Sequence, residues 1–127
     1  LGLQPQAIHN MGGKKVQGKE KAAAEQILVE ANELQRVGCF SLVLECIPRE
    51  LGKCVTHSLE IPTIGIGAGP ETDGQVLVLH DLLGLDENFS PKFLRKYANL
   101  HKVVSSAVDK YHSDVQSCQF PSVSECY

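Results

Sequence analysis

SLVLECIP, residues Ser41 to Pro48, is the stretch on which the fold depends. A short apolar run, Leu42-Val43-Leu44, delivers a carboxylate, Glu45, and is stopped by Pro48. A run this short between breakers predicts a buried β-strand. An ionised carboxylate at the tip of such a strand is costly unless it reaches water or a partner. Glu45 therefore either faces solvent at the strand end, alone or paired with a Lys or Arg, or serves as an acid or base. The second reading suits a parallel sheet, whose strands carry chemistry at their carboxyl ends.

The residues on either side of this strand decide its setting. Upstream, Ala24, Ile27, Leu28, Ala31 and Leu34 recur at helical steps opposite Glu25, Glu30 and Glu33, which predicts an amphipathic helix over 20–37. Gly38 supplies its stop, and a strand over 39–46 follows with almost no loop. Downstream, Pro48 suits a first helical turn, and Leu51, Val55 and Leu59 mark a shorter helix over 49–59 that Gly52 weakens. IPTIGIG, 61–67, reads as a second buried strand. After the turn signal Asp73-Gly74, QVLVLH, 75–80, reads as a third, ending in His80-Asp81.

Strands that are apolar throughout and alternate with helices predict an α/β fold with a parallel sheet covered on both sides. The joint between the second and third strands is short for a parallel crossover, which ordinarily takes about a dozen residues. A barrel could abbreviate it; otherwise that pair is an antiparallel hairpin. Ser90-Pro91 predicts a helix start, with Phe93, Leu94 and Tyr97 on its apolar side. Leu100, Val103, Val104, Ala107, Val108, Tyr111 and Val115 then mark a longer helix, and 118–127 reads as a mostly irregular tail. Residues 1–18 read as a loop, with a turn at Gly12-Gly13 and Lys14, Lys15 and Lys19 nearby. Its length suits an active-site loop, and the lysines suit either a solvated loop or one that handles anions.

Bulk properties narrow the function. At 127 residues there is room for one ordinary domain, and the balance of 43 % hydrophobic and 21 % charged residues excludes a disordered chain. A net charge of -3 gives no basic footprint for nucleic acid, and no apolar run approaches the roughly 20 residues that span a bilayer. Small-molecule chemistry is the class left. The five cysteines, Cys39, Cys46, Cys54, Cys118 and Cys126, form no C-x-x-C pair, which points to free thiols in a reducing compartment. LGLQPQAIHN lacks the basic and apolar regions of a signal peptide.

Other motifs carry less. Gly65-x-Gly67-x-Gly69 follows a strand as a dinucleotide loop would, but Pro70 stands where the last glycine of that motif belongs, and a turn and strand follow instead of a helix. Its glycines instead permit close backbone approach. His80 and Asp81, adjacent on an extended chain, would point to opposite faces and read as structural hydrogen-bonding residues. His9, His57, His101 and His112 have no carboxylate or Cys partners at ligand spacing. Glu45 remains the acid-base candidate with a placed context.

LGLQPQ, GGKKVQGK, LVLECIPREL, IPTIGIGAGPETDGQVLVLHDLLGL and SPKFLRKYANL, in that order, resemble the ketopantoate hydroxymethyltransferases (3-methyl-2-oxobutanoate hydroxymethyltransferases) of pantothenate biosynthesis. The likeness runs from Leu1 to about Pro121, and the IGIGAG-x-x-x-DGQ-x-L-x-x-HD block is its most particular part. The resemblance implies a (β/α)8 TIM barrel. In it Mg²⁺ and a base act on a 2-keto acid, and the enolate attacks the one-carbon unit of 5,10-methylenetetrahydrofolate to give 2-dehydropantoate. The family's general base, the Glu of its LEC-x-P motif, falls on Glu45.

The same resemblance places the family's metal-binding Asp residues, a substrate-binding Ser and Lys, and a His directly before LGL in the first half of the barrel. Residues 1–127 then correspond to the C-terminal part of one barrel domain, strands six to eight with their helices. As a stand-alone piece it is an incomplete barrel, with an open inner face and edge. The folate-binding residues are not assigned, and the metal finds no ligands here. The resemblance implies a homo-oligomer when complete, in the cytoplasm or in an organelle if a targeting segment lies upstream. An alternative function is that of a non-catalytic remnant that assembles with a full-length subunit.

Overall fold

The helix ahead of the key strand, α1 (Lys21–Arg36), buries the periodic face seen in the sequence: Ala31 is fully buried and Ile27 nearly so, with Ala24, Leu28 and Leu34 beside them. Gly38, at φ 100°, ends it in a Schellman motif, in which the Cys39 N–H donates to the Leu34 carbonyl and the Gly38 N–H to that of Gln35, each at 3.0 Å. The chain then enters β1 (Leu42–Glu45), crosses through α2 (Arg49–Ser58) and returns as β2 (Thr63–Ile66). Pro48 is the N-cap of α2 rather than its first residue. A computed structural model is the source of this description; it covers residues 1–7, 9, 13 and 15–127. Those residues form two compact units, Leu1–Leu77 and Val78–Tyr127.

In the first unit β1, β2 and β3 (Gly74–Gln75) make a parallel sheet in that order, with Leu44 opposite Gly65 and Glu45 opposite Ile66. Leu42 and Leu44 turn into one core with Ile27 and Ala31 of α1, Leu51 and Val55 of α2, and Ile47 and Ala68. Burying such side chains stabilises by about 1.5–3 kcal/mol each. Val43, between Leu42 and Leu44, lies on the opposite face and is 48 % exposed. The expectation of a sheet covered on both sides is thus corrected: the strands are apolar on both faces, but α1 and α2 cover only one.

The short joint between β2 and β3 is parallel, not a hairpin. Residues 67–73 suffice because β2 is only four residues long, about 13 Å at the usual strand rise, and a chain segment of that length reaches back over such a distance with room to turn. The third strand is a second correction. QVLVLH does not run extended to His80: pairing stops at Gln75 with one further bond, Val76 N–H to the Gly65 carbonyl at 3.0 Å. The reason is the partner, since β2 ends at Ile66 and Gly67 turns away at φ 68°, so the ladder has no partner beyond Val76.

Residues 1–3 correct the reading of 1–18 as all loop. Gly2 bridges Glu45 in parallel, and the Glu45 N–H donates to the Leu1 carbonyl (2.9 Å) while the Leu3 N–H donates to the Glu45 carbonyl (2.8 Å). The chain here lies along the free edge of β1. Of the predicted turn at Gly12-Gly13 and its lysines, Gly12 and Lys14 fall outside the described residues; Gly13 has φ 100°, and Lys15 and Lys19 are exposed.

The second unit begins with one turn of helix, α3 (Leu79–Leu82), and ends with α4 (Leu100–Gln116) and a 3₁₀ turn at Val123–Glu125. His80 and Asp81 lie on α3, and their carbonyls, not their side chains, accept the hydrogen bonds, from Leu85 N–H and Gly84 N–H. The helix predicted from Ser90-Pro91 is absent: Pro91 starts a single turn closed by Leu94 N–H, and the main chain then pairs back, Tyr97 N–H to the Leu82 carbonyl at 2.8 Å. A first helical turn is costly to nucleate, and these longer-range bonds win over it. Asn99 caps α4, accepting from Lys102 N–H, so the predicted long helix starts at Leu100. No described helix is long and apolar enough to cross a membrane.

Candidate functional site

Glu45 is the last residue of β1, at the carboxyl end of the parallel sheet. Strand alternation sets it on the face of Val43, away from the helices. Its main chain is tied on both sides, to Leu1 and Leu3 at the edge, and through the following residue to β2, where Cys46 N–H donates to the Ile66 carbonyl at 2.9 Å. Burial pushes the Glu45 carboxyl above the usual carboxylate range. Glu45 is half-buried, and no ion pair with a Lys or Arg forms among the described residues, which leaves the solvent-facing strand end and the acid-base reading.

Cys46 is the unusual residue next to it. It has φ 49°, a left-handed conformation that costs a non-glycine residue about 1–2 kcal/mol. Its carbonyl accepts from the Gln17 N–H at 2.9 Å. The left-handed turn resets the strand alternation: Ile47, which would otherwise share the face of Glu45, enters the core at 3 % exposure. Nothing in the residue type signals this, because Cys is not a left-handed residue by habit. Burial, and then the neighbouring Glu45 charge, push the Cys46 thiol up, so it stays protonated at neutral pH.

The glycine-rich segment after β2 forms a wall held by its own contacts. Gly52 of α2 lets the Ala68 carbonyl approach so closely that a Cβ on Gly52 would sit 2.2 Å from it. Gly69, at φ 91°, lies over Arg49, whose guanidinium pairs with Glu71 and holds that carboxyl below its usual range. The Gln75 amide donates to the Gly69 carbonyl at 2.9 Å and to Thr72 Oγ1 at 2.7 Å, packing over Gly65, where any Cβ would meet Thr72. Gly65 and Gly69 therefore serve close packing, Gly65 against Thr72 and Gln75 and Gly69 against Arg49, while Gly67 serves the turn with φ 68°. Gly52, read in the sequence only as a weakness in the helix, proves to be the contact point.

At the opposite end of the sheet, Asp73 Oδ2 accepts from the Thr63 N–H (2.8 Å) and hydroxyl (3.0 Å). Thr63 is fully buried, and its Oγ1 also lies 2.8 Å from that of Thr56, whose hydroxyl donates to the Gly52 carbonyl at 2.9 Å. These bonds, the Thr63 amide first, hold the Asp73 carboxyl below its usual range. This chain of hydrogen bonds was not read from the sequence, which showed Asp73 only as a turn residue.

Among the described residues no three His, Cys, Asp or Glu side chains gather where they could hold a metal ion. His57 is on α2 and His101 and His112 are on α4, where His101 Nε2 lies 3.5 Å from Glu87 Oε2. Among the described residues, one cleft of about 250 Å³ is lined by Thr56, Leu59, Pro62 and Asp73, and another of about the same volume by Gly2, Gln17, Gly18 and Gln26. Glu45 lines neither. What the structure brings together at the carboxyl end of β1 is Glu45, the Cys46 turn, Gly2 and Gln17.

The profile of a family described as Ketopantoate hydroxymethyltransferase matches residues 1–123. The chain is 54 % identical over its whole length to the 3-methyl-2-oxobutanoate hydroxymethyltransferase of Cytophaga hutchinsonii, of which it covers 47 %. It is 50 % identical, again over its whole length, to that of Coxiella burnetii, covering 48 %, and 53 % identical over 96 % of its length to that of Legionella pneumophila, covering 47 %. The chain thus spans about half the length of the curated relatives it matches. With a parallel α/β sheet that carries Glu45 at its carboxyl end, this chain belongs to the ketopantoate hydroxymethyltransferase family.

Proposed function

We propose that this chain forms the base-bearing part of a 3-methyl-2-oxobutanoate hydroxymethyltransferase and that Glu45 is the general base. The observation that carries the reading is the position of Glu45: last in β1, on the uncovered face, with burial raising its affinity for a proton. A C–H beside a ketone is a weak acid, so its base must be held close and must favour the proton more than an ordinary carboxylate does. Glu45 takes the proton from C3 of the keto acid, and the electron pair moves onto the carbonyl oxygen as an enolate. Water adds to the methylene carbon of 5,10-methylenetetrahydrofolate and both of its C–N bonds break, releasing tetrahydrofolate and a one-carbon unit at the formaldehyde level. C3 bonds to that carbon, and its oxygen takes the proton back from Glu45 to become the hydroxyl group of 2-dehydropantoate.

A (β/α)8 barrel is the architecture that suits these features. Parallel strands with helices on one face, and Val43 bare on the other, are what an arc of such a barrel presents. In this reading β1 to β3 are strands six to eight, and residues 1–3 end the strand before them. The Mg²⁺ of the reaction is assigned, on the family resemblance, to Asp residues of the first half of the barrel.

The test is Glu45→Gln in the full-length protein, followed by NMR of deuterium exchange at C3 of 3-methyl-2-oxobutanoate. General acid-base catalysis contributes about 10²–10⁴-fold, so exchange should fall by at least about 100-fold with the fold intact by circular dichroism. Exchange within a few-fold of wild type would remove Glu45 from the mechanism.

A further inference from the structure

We infer that Cys46, through its left-handed main chain and not its thiol, is a positioning residue that aims Glu45, and that Gln17 holds it there. The inference rests on the reading of Glu45 as the base. Three facts meet at this turn. Glu45 must stay on the open face while Ile47, two residues on, is buried in the core; extended alternation would place both on one face. The left-handed Cys46 is the residue at which the alternation breaks. Both of its main-chain groups are held, N–H by the Ile66 carbonyl and carbonyl by the Gln17 N–H, each at 2.9 Å.

The Glu45 main chain is fixed in the same way, between Leu1 and Leu3. The carboxylate is therefore carried on backbone whose four polar groups all have partners from three other segments. A non-glycine residue persists in an unfavourable conformation only where its surroundings over-determine it, and such residues collect at functional sites. Gln17 comes from the segment 15–18, anchored by Gly18, where a Cβ would lie 2.5 Å from Leu51. Its own amide group donates to the Lys15 carbonyl at 2.9 Å, so Gln17 contributes its main-chain N–H to the turn and its side chain to the loop.

Two pairs of variants of the full-length protein test this, read by C3 deuterium exchange and by KM against kcat. Cys46→Gly removes the thiol and keeps the left-handed turn at no steric cost, so exchange should stay within about twofold of wild type. Cys46→Val should lower kcat and exchange by about 10- to 100-fold with KM little changed, since a small misplacement of a reacting group has that effect. Gln17→Ala keeps the N–H and should behave as wild type; Gln17→Pro deletes it and should behave as Cys46→Val. Loss of exchange in Cys46→Gly overturns the inference, because the thiol would then matter. So does a folded Gln17→Pro that exchanges as fast as Gln17→Ala, which decides the matter even if Cys46→Val fails to fold. Undiminished exchange in Glu45→Gln would be a different failure, that of the base assignment itself.

Discussion

Gly2 and Glu45 lie side by side in a parallel bridge so tight that a Cβ on Gly2 would stand 2.2 Å from the Glu45 carbonyl oxygen. Gly2 also has φ 85°, where side chains are strained. Gly2→Ala should therefore push residues 1–3 off the edge of β1, at a cost of about 2–4 kcal/mol from strain and overpacking combined. Denaturant unfolding measures the cost, and hydrogen exchange should show Glu45 and Leu3 amides losing protection. Unchanged protection would mean that the edge pairing does not hold in solution.

Gly52 offers a case in which helix propensity and packing disagree in sign. Replacing a glycine within a helix by alanine ordinarily stabilises by about 1 kcal/mol. Here the new Cβ would lie 2.2 Å from the Ala68 carbonyl oxygen, a main-chain atom that cannot step aside alone. Overpacking of that kind costs about 1–3 kcal/mol, so Gly52→Ala should lower stability on balance. A rise in Tm would show that the 67–73 segment moves freely away from α2.

The hold of Asp73 on Thr63 should be visible in the pH dependence of unfolding. Its carboxyl is held below the ordinary value by the Thr63 amide and hydroxyl, so the folded state binds the proton more weakly than the unfolded state does. The stabilisation is fully present above the ordinary Asp value of about 3.9 and is lost as the pH falls through that value toward the lower folded one. Asp73→Asn should be less stable than wild type near neutral pH, with the difference shrinking in acid. Denaturant melts at several pH values measure it, and a difference that is constant with pH would contradict this account.

Glu45 should show the opposite sign. Its carboxyl is raised by burial, so the charged form is favoured in the unfolded state and opposes folding. That penalty is absent below the ordinary Glu value of about 4.3 and grows as the pH rises through it to the folded value, above which it is complete. Glu45→Gln should therefore be slightly more stable than wild type near pH 7 and equal to it in strong acid. A variant that is less stable at neutral pH would mean that the carboxylate is held by a partner that favours its charge.

The sequence by itself determined what depends on neighbours along the chain. The faces of α1 and α2, the stop at Gly38, the two central strands and the position of Glu45 at a strand end all follow from periodicity and from breakers read within a few residues. It also carried the family motifs. The tertiary structure alone decided where β3 stops, because a strand lasts only as long as its partner, and why 91–97 is not helical, because Tyr97 bonds Leu82 instead. The same holds for the left-handed Cys46, the edge pairing of Gly2, the approach of Ala68 to Gly52 and the Asp73 to Thr63 bonds. Each of these sets the backbone of one residue by a contact with another that is distant along the chain, and no local pattern encodes that distance.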